Sequence, residues 1–84
     1  MASQSGDFRL LEFNLENCAY QLNYWKDFYV TSPYPKAREL SRLNLESVYV
    51  YLYALDVSGA PRKYQEEKAS LLADVTLFLE KKTN

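Results

Sequence analysis

The fold is decided by residues 7–30, whose sequence is DFRLLEFNLENCAYQLNYWKDFYV. Apolar side chains recur in this segment at alternating spacings of three and four residues, and they are Phe8, Leu11, Leu15, Cys18, Leu22, Trp25 and Tyr29. This spacing is typical of one face of an α-helix. Asp7 precedes the first of them and suits a helix N-cap. The segment therefore predicts a helix over residues 7–30, with Cys18 buried in its apolar seam.

Two breaks divide the rest of the chain. The first is the segment TSPYP at residues 31–35, because its prolines cannot continue an established helix but fit the first turn of the next one. At the second break, Gly59 suits a left-handed C-cap and Pro61 suits another first turn. The sequence therefore predicts two further helices, at about residues 35–57 and 61–82.

The second predicted helix carries apolar residues around much of its surface. We assign to its core arc the stripe that continues the spacing of three and four residues, together with its apolar neighbours, and this arc contains Leu40, Leu43, Val50, Tyr51, Ala54 and Leu55. Ser47 belongs to the same stripe, and like Ala54 it is small enough to let a neighbouring backbone approach closely. A strand over residues 48–53 is the alternative, since these residues alternate with period two, but no second strand-like segment is available to pair with it.

This assignment leaves apolar side chains on the outer face of the second helix, and they are Leu45, Tyr49, Leu52 and Tyr53. Two arginines, Arg38 and Arg42, flank them. A patch that combines tyrosine with arginine is typical of protein interfaces. We therefore predict that these four apolar residues bind a protein partner.

The first helix has a second apolar stripe, which contains Leu10, Phe13, Tyr20, Tyr24 and Phe28. One interpretation is that the helix touches both other helices of its own chain. The other is that Phe13, Tyr20 and Tyr24 form a second partner-binding surface. The third helix has one stripe only, with Leu71 and Val75 at its centre, and its opposite side is polar.

These patterns predict an all-α fold. Short connections favour antiparallel neighbours, so we expect a small up-down-up bundle of three helices built on a helical hairpin, which associates into a larger bundle. Residues 1–6 are expected to be a flexible tail, and residues 7–84 a single helical domain.

Composition argues against several function classes. Ten basic and eleven acidic residues give a net charge of −1 with neither sign clustered, so we expect no nucleic acid partner. No apolar stretch approaches the roughly 20 residues of a membrane span, and we expect no membrane partner and a cytoplasmic location. The chain has no histidine and one cysteine, so we expect no metal, no cofactor and no catalytic residues.

The sequence therefore favours a non-enzymatic module that binds a protein partner, itself, or both as a homo-oligomer. An alternative is a small inhibitor, immunity or viral regulatory protein that blocks a larger enzyme. A more remote alternative is a dimeric, all-helical enzyme whose basic pocket contains Arg9, Arg38, Arg42 and Lys68.

Overall fold

The structure, a computed structural model, describes residues 8–83. This range contains no β-strand and is built from three α-helices, which are α1 (Arg9–Thr31), α2 (Pro35–Ala54) and α3 (Arg62–Thr83). The predicted all-α fold is confirmed, and residues 48–53 are helical. The expected tail at residues 1–6 and the expected N-cap Asp7 lie outside the described residues.

The three helices form the predicted up-down-up bundle, in which every pair of helices is in contact. Two clusters of buried side chains show the direction of each helix. The N-terminal half of α1 packs on the C-terminal half of α2, where Cys18 and Val48 share one cluster, while Leu22 and Leu45 share the other. The ring of Phe8 lies 6.0 Å from that of Tyr64 at the start of α3, so α1 and α3 run in the same direction.

The seam of α1 is buried as predicted, but the predicted orientation of α2 is wrong. Leu45 and Leu52 were assigned to the outer face, yet both have an exposed fraction of 0%. Most of the arc assigned to the core is exposed instead, including Leu40, Leu43, Val50 and Tyr51, whereas Leu55 is half-buried and packs against the core. The two stripes have similar apolar content, so the contacts that α1 and α3 make with α2 determine which stripe is covered.

Ser41 is the polar residue on the buried side of α2. It is fully buried, and its hydroxyl donates a hydrogen bond to the carbonyl oxygen of Ala37 at 3.0 Å. A buried hydroxyl is tolerated when it finds such a partner. The small side chain therefore lets the first half of α2 lie close to its neighbours.

The second helix ends at Ala54, three residues before the predicted end at Val57. Asp56 then accepts hydrogen bonds from the backbone and the hydroxyl of Ser58, which fixes a turn. Gly59 has the expected positive φ, at 81°, but it serves this turn instead of capping the helix. Local side-chain hydrogen bonds thus replace the last predicted helical turn.

None of the three helices, over the residues that the structure describes, has both the length and the apolar character required to cross a membrane.

Candidate interaction surface

A ladder of aromatic rings runs along the exposed side of α1. The rings of Tyr20 and Tyr24 are stacked with centroids 6.3 Å apart, and those of Tyr24 and Phe28 are stacked at the same distance. Trp25 supports the ladder from the core side, since its ring meets Tyr24 edge-on at 4.9 Å. Stacking at positions i and i+4 fixes these rings relative to one another. The ladder is therefore an ordered surface, although Tyr20 is 65% exposed.

The exposed stripe of α2 has the spacing of a helix–helix contact seam, but neither α1 nor α3 covers it. It contains Leu40, Leu43, Ser47, Val50 and Ala54 at alternating spacings of three and four residues, and all of them are exposed. Tyr51 lies beside this stripe and is also exposed. A heptad stripe of this kind packs against another helix in bundles and coiled coils.

A shallow groove of about 320 Å³ joins the two exposed surfaces. Asn17 and Gln21 of α1 line one side of it, while Ser47 and Tyr51 of α2 line the other. Asn17 and Gln21 lie three positions before Tyr20 and Tyr24, and residues three apart are neighbours on a helix surface, so the ladder borders this groove. The groove and the two exposed sets of side chains beside it form one surface. We call this surface the α1/α2 face and define it by Phe13, Tyr20, Tyr24, Leu40, Leu43, Ser47, Val50, Tyr51 and Ala54.

The third helix covers the other side of the α1–α2 pair. Lys26 of α1 forms an ion pair there with Asp74 of α3 at 2.8 Å. Tyr49 of α2 lies in a groove that Leu72 and Leu77 of α3 also line. The α1/α2 face is thus the side of the helical hairpin that α3 leaves open.

The α1/α2 face contains no charged side chain among its defining residues. Its polar neighbours in the groove are the neutral side chains of Asn17, Gln21 and Asn44. The nearest charged pair on α2 is satisfied within the helix, because Arg42 bonds to Glu46 at 2.7 Å. Any partner of this face must therefore be recognised by shape and apolar contact and not by net charge.

The predicted partner-binding residues are divided among three places. Leu45 and Leu52 are fully buried between the helices, so they cannot form an exposed surface. Tyr49 and Tyr53 stack at 6.1 Å beside the groove between α2 and α3, where Tyr53 is exposed and Tyr49 is half-buried. The second predicted set lies on the α1/α2 face, and it consists of Phe13, Tyr20 and Tyr24, all exposed.

Sequence reasoning missed the α2 half of this face, since Leu43 and Val50 had been assigned to the core. The spacing in the sequence could not separate the two stripes of α2, because both alternate between three and four residues. The stripe of Leu40, Leu43 and Val50 has the same apolar residue types as the stripe of Leu45, Val48 and Leu52, so apolar content does not separate the two stripes either.

The titratable groups that the structure describes do not form a reactive site. Cys18 is buried, and desolvation by its apolar neighbours raises the pKa of its thiol, which disfavours the reactive thiolate. No group of three or more metal-binding side chains occurs in the described part of the chain. Within one chain, the basic residues suggested for a dimeric pocket lie apart: Arg38 and Arg42 line a groove beside Tyr29, whereas Lys68 lies at the opposite end of α2.

Comparison with protein-family models, with curated proteins and with solved structures finds no match to this chain.

Proposed function

We propose that this protein works by non-covalent contact with protein surfaces, as a helical module that binds a partner through the α1/α2 face. The observation that carries this proposal is the concentration of exposed, uncharged apolar side chains on one side of the α1–α2 hairpin. Phe13 and Val50, at opposite edges of the face, are 63% and 62% exposed.

The size of the face supports the proposal. The exposed parts of its aromatic and aliphatic residues amount to roughly 700 Å², with the tyrosine hydroxyls included. The largest apolar patch on an ordinary monomer is about 300–600 Å², and patches of this size are often functional. Full burial of one large side chain contributes roughly 1.5–3 kcal/mol, so covering this face would add stability comparable with that of a small domain.

The experiment compares binding by the wild-type chain with binding by two matched variants. Val50→Glu places a carboxylate in the α1/α2 face, whereas Leu77→Glu places one at a similarly exposed apolar position on α3, since Leu77 is 57% exposed. Val50→Glu is expected to abolish capture of partner protein from the native host and any self-association, and Leu77→Glu to preserve both. Circular dichroism checks that both variants keep their helicity.

The opposite result, in which only Leu77→Glu abolishes binding, would move the contact to the groove between α2 and α3. Binding that survives both substitutions would contradict the proposal for the α1/α2 face. The identity of a captured protein separates an inhibitor of a larger enzyme from other interaction modules.

A further inference from the structure

We infer that the α1/α2 face binds the same face of a second copy of this chain, with α1 of one subunit packed on α2 of the other. This inference rests on the proposed function, because it requires the face to be a contact surface. The two α1–α2 hairpins would pack face to face as a four-helix bundle, and each α3 would lie on the outside of the assembly.

The register of the hairpin places large and small side chains at matching heights. Leu22 and Leu45 share a buried cluster, as Cys18 and Val48 do. In antiparallel helices, each step towards the C-terminus of α1 corresponds to a step towards the N-terminus of α2. Counting in this way from these pairs puts Tyr20 and Ser47 at the same position along the bundle axis. Phe13 is then level with Ala54, and Tyr24 with Leu43.

The position of each residue along the bundle axis determines which two-fold symmetric dimer brings large side chains against small ones. An axis parallel to the helices keeps every residue at its own height and lays α1 on α2 of the partner subunit. Tyr20 then meets Ser47 of the partner subunit, and Phe13 meets Ala54 of the partner subunit. Two of the three rings of α1 are thus matched with a small side chain, which close packing requires, while Tyr24 meets Leu43 of the partner subunit.

The other two-fold arrangement has its axis perpendicular to the helices and lays α1 on α1 and α2 on α2. The aromatic ladders would then face each other and hold the two α1 helices apart. On α2, an axis level with Ser47 would place that side chain opposite its own copy and Ala54 opposite Leu40 of the partner subunit. The crowding of one aromatic ladder against the other therefore favours the arrangement with the parallel axis.

The area and the charge of the α1/α2 face are also consistent with binding of a second copy of the chain. The roughly 700 Å² of exposed area approaches the roughly 800 Å² per partner that a standard interface buries, and the polar groove residues would add to it. Two copies of one face carry the same charges, so self-association is electrostatically unfavourable for a charged face. The residues that define the α1/α2 face are uncharged, and the carboxylate of Glu46, which lines a groove with Leu43 and Val50, is paired with Arg42 of its own helix.

The first test is the mass in solution by sedimentation equilibrium between 1 and 100 µM, roughly the range in which small homodimers form. The wild-type chain is expected to give twice the chain mass of 9.8 kDa. Val50→Glu should raise the dimer dissociation constant at least about tenfold. Leu77→Glu, the matched control on α3, should leave it within about twofold. A wild-type chain that is monomeric throughout this range would overturn the inference.

The second test uses disulfide formation between chains to determine which helices meet. All variants carry Cys18→Ala, because Cys18 and Ser47 line the same groove within one chain. A mixture of a Tyr20→Cys chain with a Ser47→Cys chain should form a disulfide-linked heterodimer on oxidation. Ser47→Cys alone should form little linked dimer, since the two copies of that position lie diagonally opposite, beyond the roughly 4.4–6.8 Å Cα separation of a disulfide.

Efficient linkage of Ser47→Cys to itself, without linkage in the mixture, would overturn the inference in favour of α2 packed on α2. A dimer that links in neither experiment and resists Val50→Glu would show that another face associates. The proposed function can be tested independently of the dimer. It is supported if a monomeric wild-type chain captures a host protein that Val50→Glu does not capture. It is contradicted if Val50→Glu changes no interaction.

Discussion

Lys68 of α3 closes the C-terminal end of α2 by donating a hydrogen bond from Nζ to the carbonyl oxygen of Leu55 at 2.5 Å. The same ammonium lies 3.2 Å from the carbonyl oxygen of Tyr53. Both carbonyls belong to the end of a helix, where the backbone carries partial negative charge and lacks internal donors. A residue that the sequence places in an apolar stripe therefore acts as a cap for another helix.

Replacing this cap gives the first prediction. Lys68→Met keeps the apolar stem but removes the charged donor, so the free energy of unfolding should fall by about 1 to 2 kcal/mol in urea denaturation. Lys81→Met, at an exposed position of the same helix, should change it by less than about 0.5 kcal/mol. Equal losses in the two variants would mean that the ammonium of Lys68 does not cap α2.

The second prediction tests the orientation of α2 with two leucines that lie two residues apart. Leu45 is 0% exposed and Leu43 is 48% exposed. Leu45→Ala should lower the free energy of unfolding by about 2 to 5 kcal/mol because it leaves a cavity. Leu43→Ala should cost less than about 1 kcal/mol when measured on the dissociated chain. The reverse order would restore the orientation that the sequence suggested.

Cys18 gives a prediction about pH. Burial raises the pKa of its thiol above the ordinary value of 9.0, so the folded chain keeps this proton at a pH where the unfolded chain releases it. The stabilising contribution is fully present below pH 9.0 and is lost as the pH rises through the higher pKa of the folded state. The unfolding free energy of the wild-type chain should therefore fall more than that of Cys18→Ala between pH 8 and pH 10.

The comparison with Cys18→Ala matters because it separates the effect of the thiol from that of all other side chains. They are common to both chains, so their effect cancels in the difference. A thiol reagent provides a second measurement and should label folded Cys18 far more slowly than the unfolded chain. Labelling at the same rate in both states would contradict the burial of this residue.

Gly59 gives a prediction about the turn between α2 and α3. Its φ of 81° lies in a region that residues with a Cβ atom avoid, although no atom lies within 4 Å of the position a Cβ would take. Gly59→Ala should therefore cost about 1 to 2 kcal/mol through backbone strain alone. Gly59→Asn should cost less, since asparagine tolerates this conformation. Thermal unfolding of both variants measures the difference.

The predictability of the fold differs between helices for a physical reason. The seam of α1 could be identified because Leu15, Cys18 and Leu22 form the stripe that meets both other helices. The second helix has two stripes of the same spacing, and spacing alone does not say which one other helices cover. Its end was also unpredictable, because the carbonyl of Leu55 is capped by Lys68, a residue far along the chain.

Only the α1 half of the α1/α2 face could be predicted from the sequence, because spacing alone does not show which stripe of α2 other helices cover. Tyr20 and Tyr24 were identified because they lie outside the buried seam of α1, and the structure leaves them exposed. Leu43 and Val50 were missed because an apolar stripe with helical spacing is normally a core. An apolar seam that its own chain leaves uncovered can be recognised only once the positions of all helices are known.

The position of Trp25 gives the molecule an internal optical reporter. It is the only tryptophan in the chain, it packs against the buried cluster of Leu22 and Leu45, and its ring meets Tyr24 of the exposed ladder edge-on. Its fluorescence emission therefore depends on the solvent around both the interior and the outer rings. Unfolding should shift the emission to longer wavelength, whereas coverage of Tyr24 by a partner should shift it to shorter wavelength, so one unlabelled signal distinguishes loss of the fold from occupation of the surface.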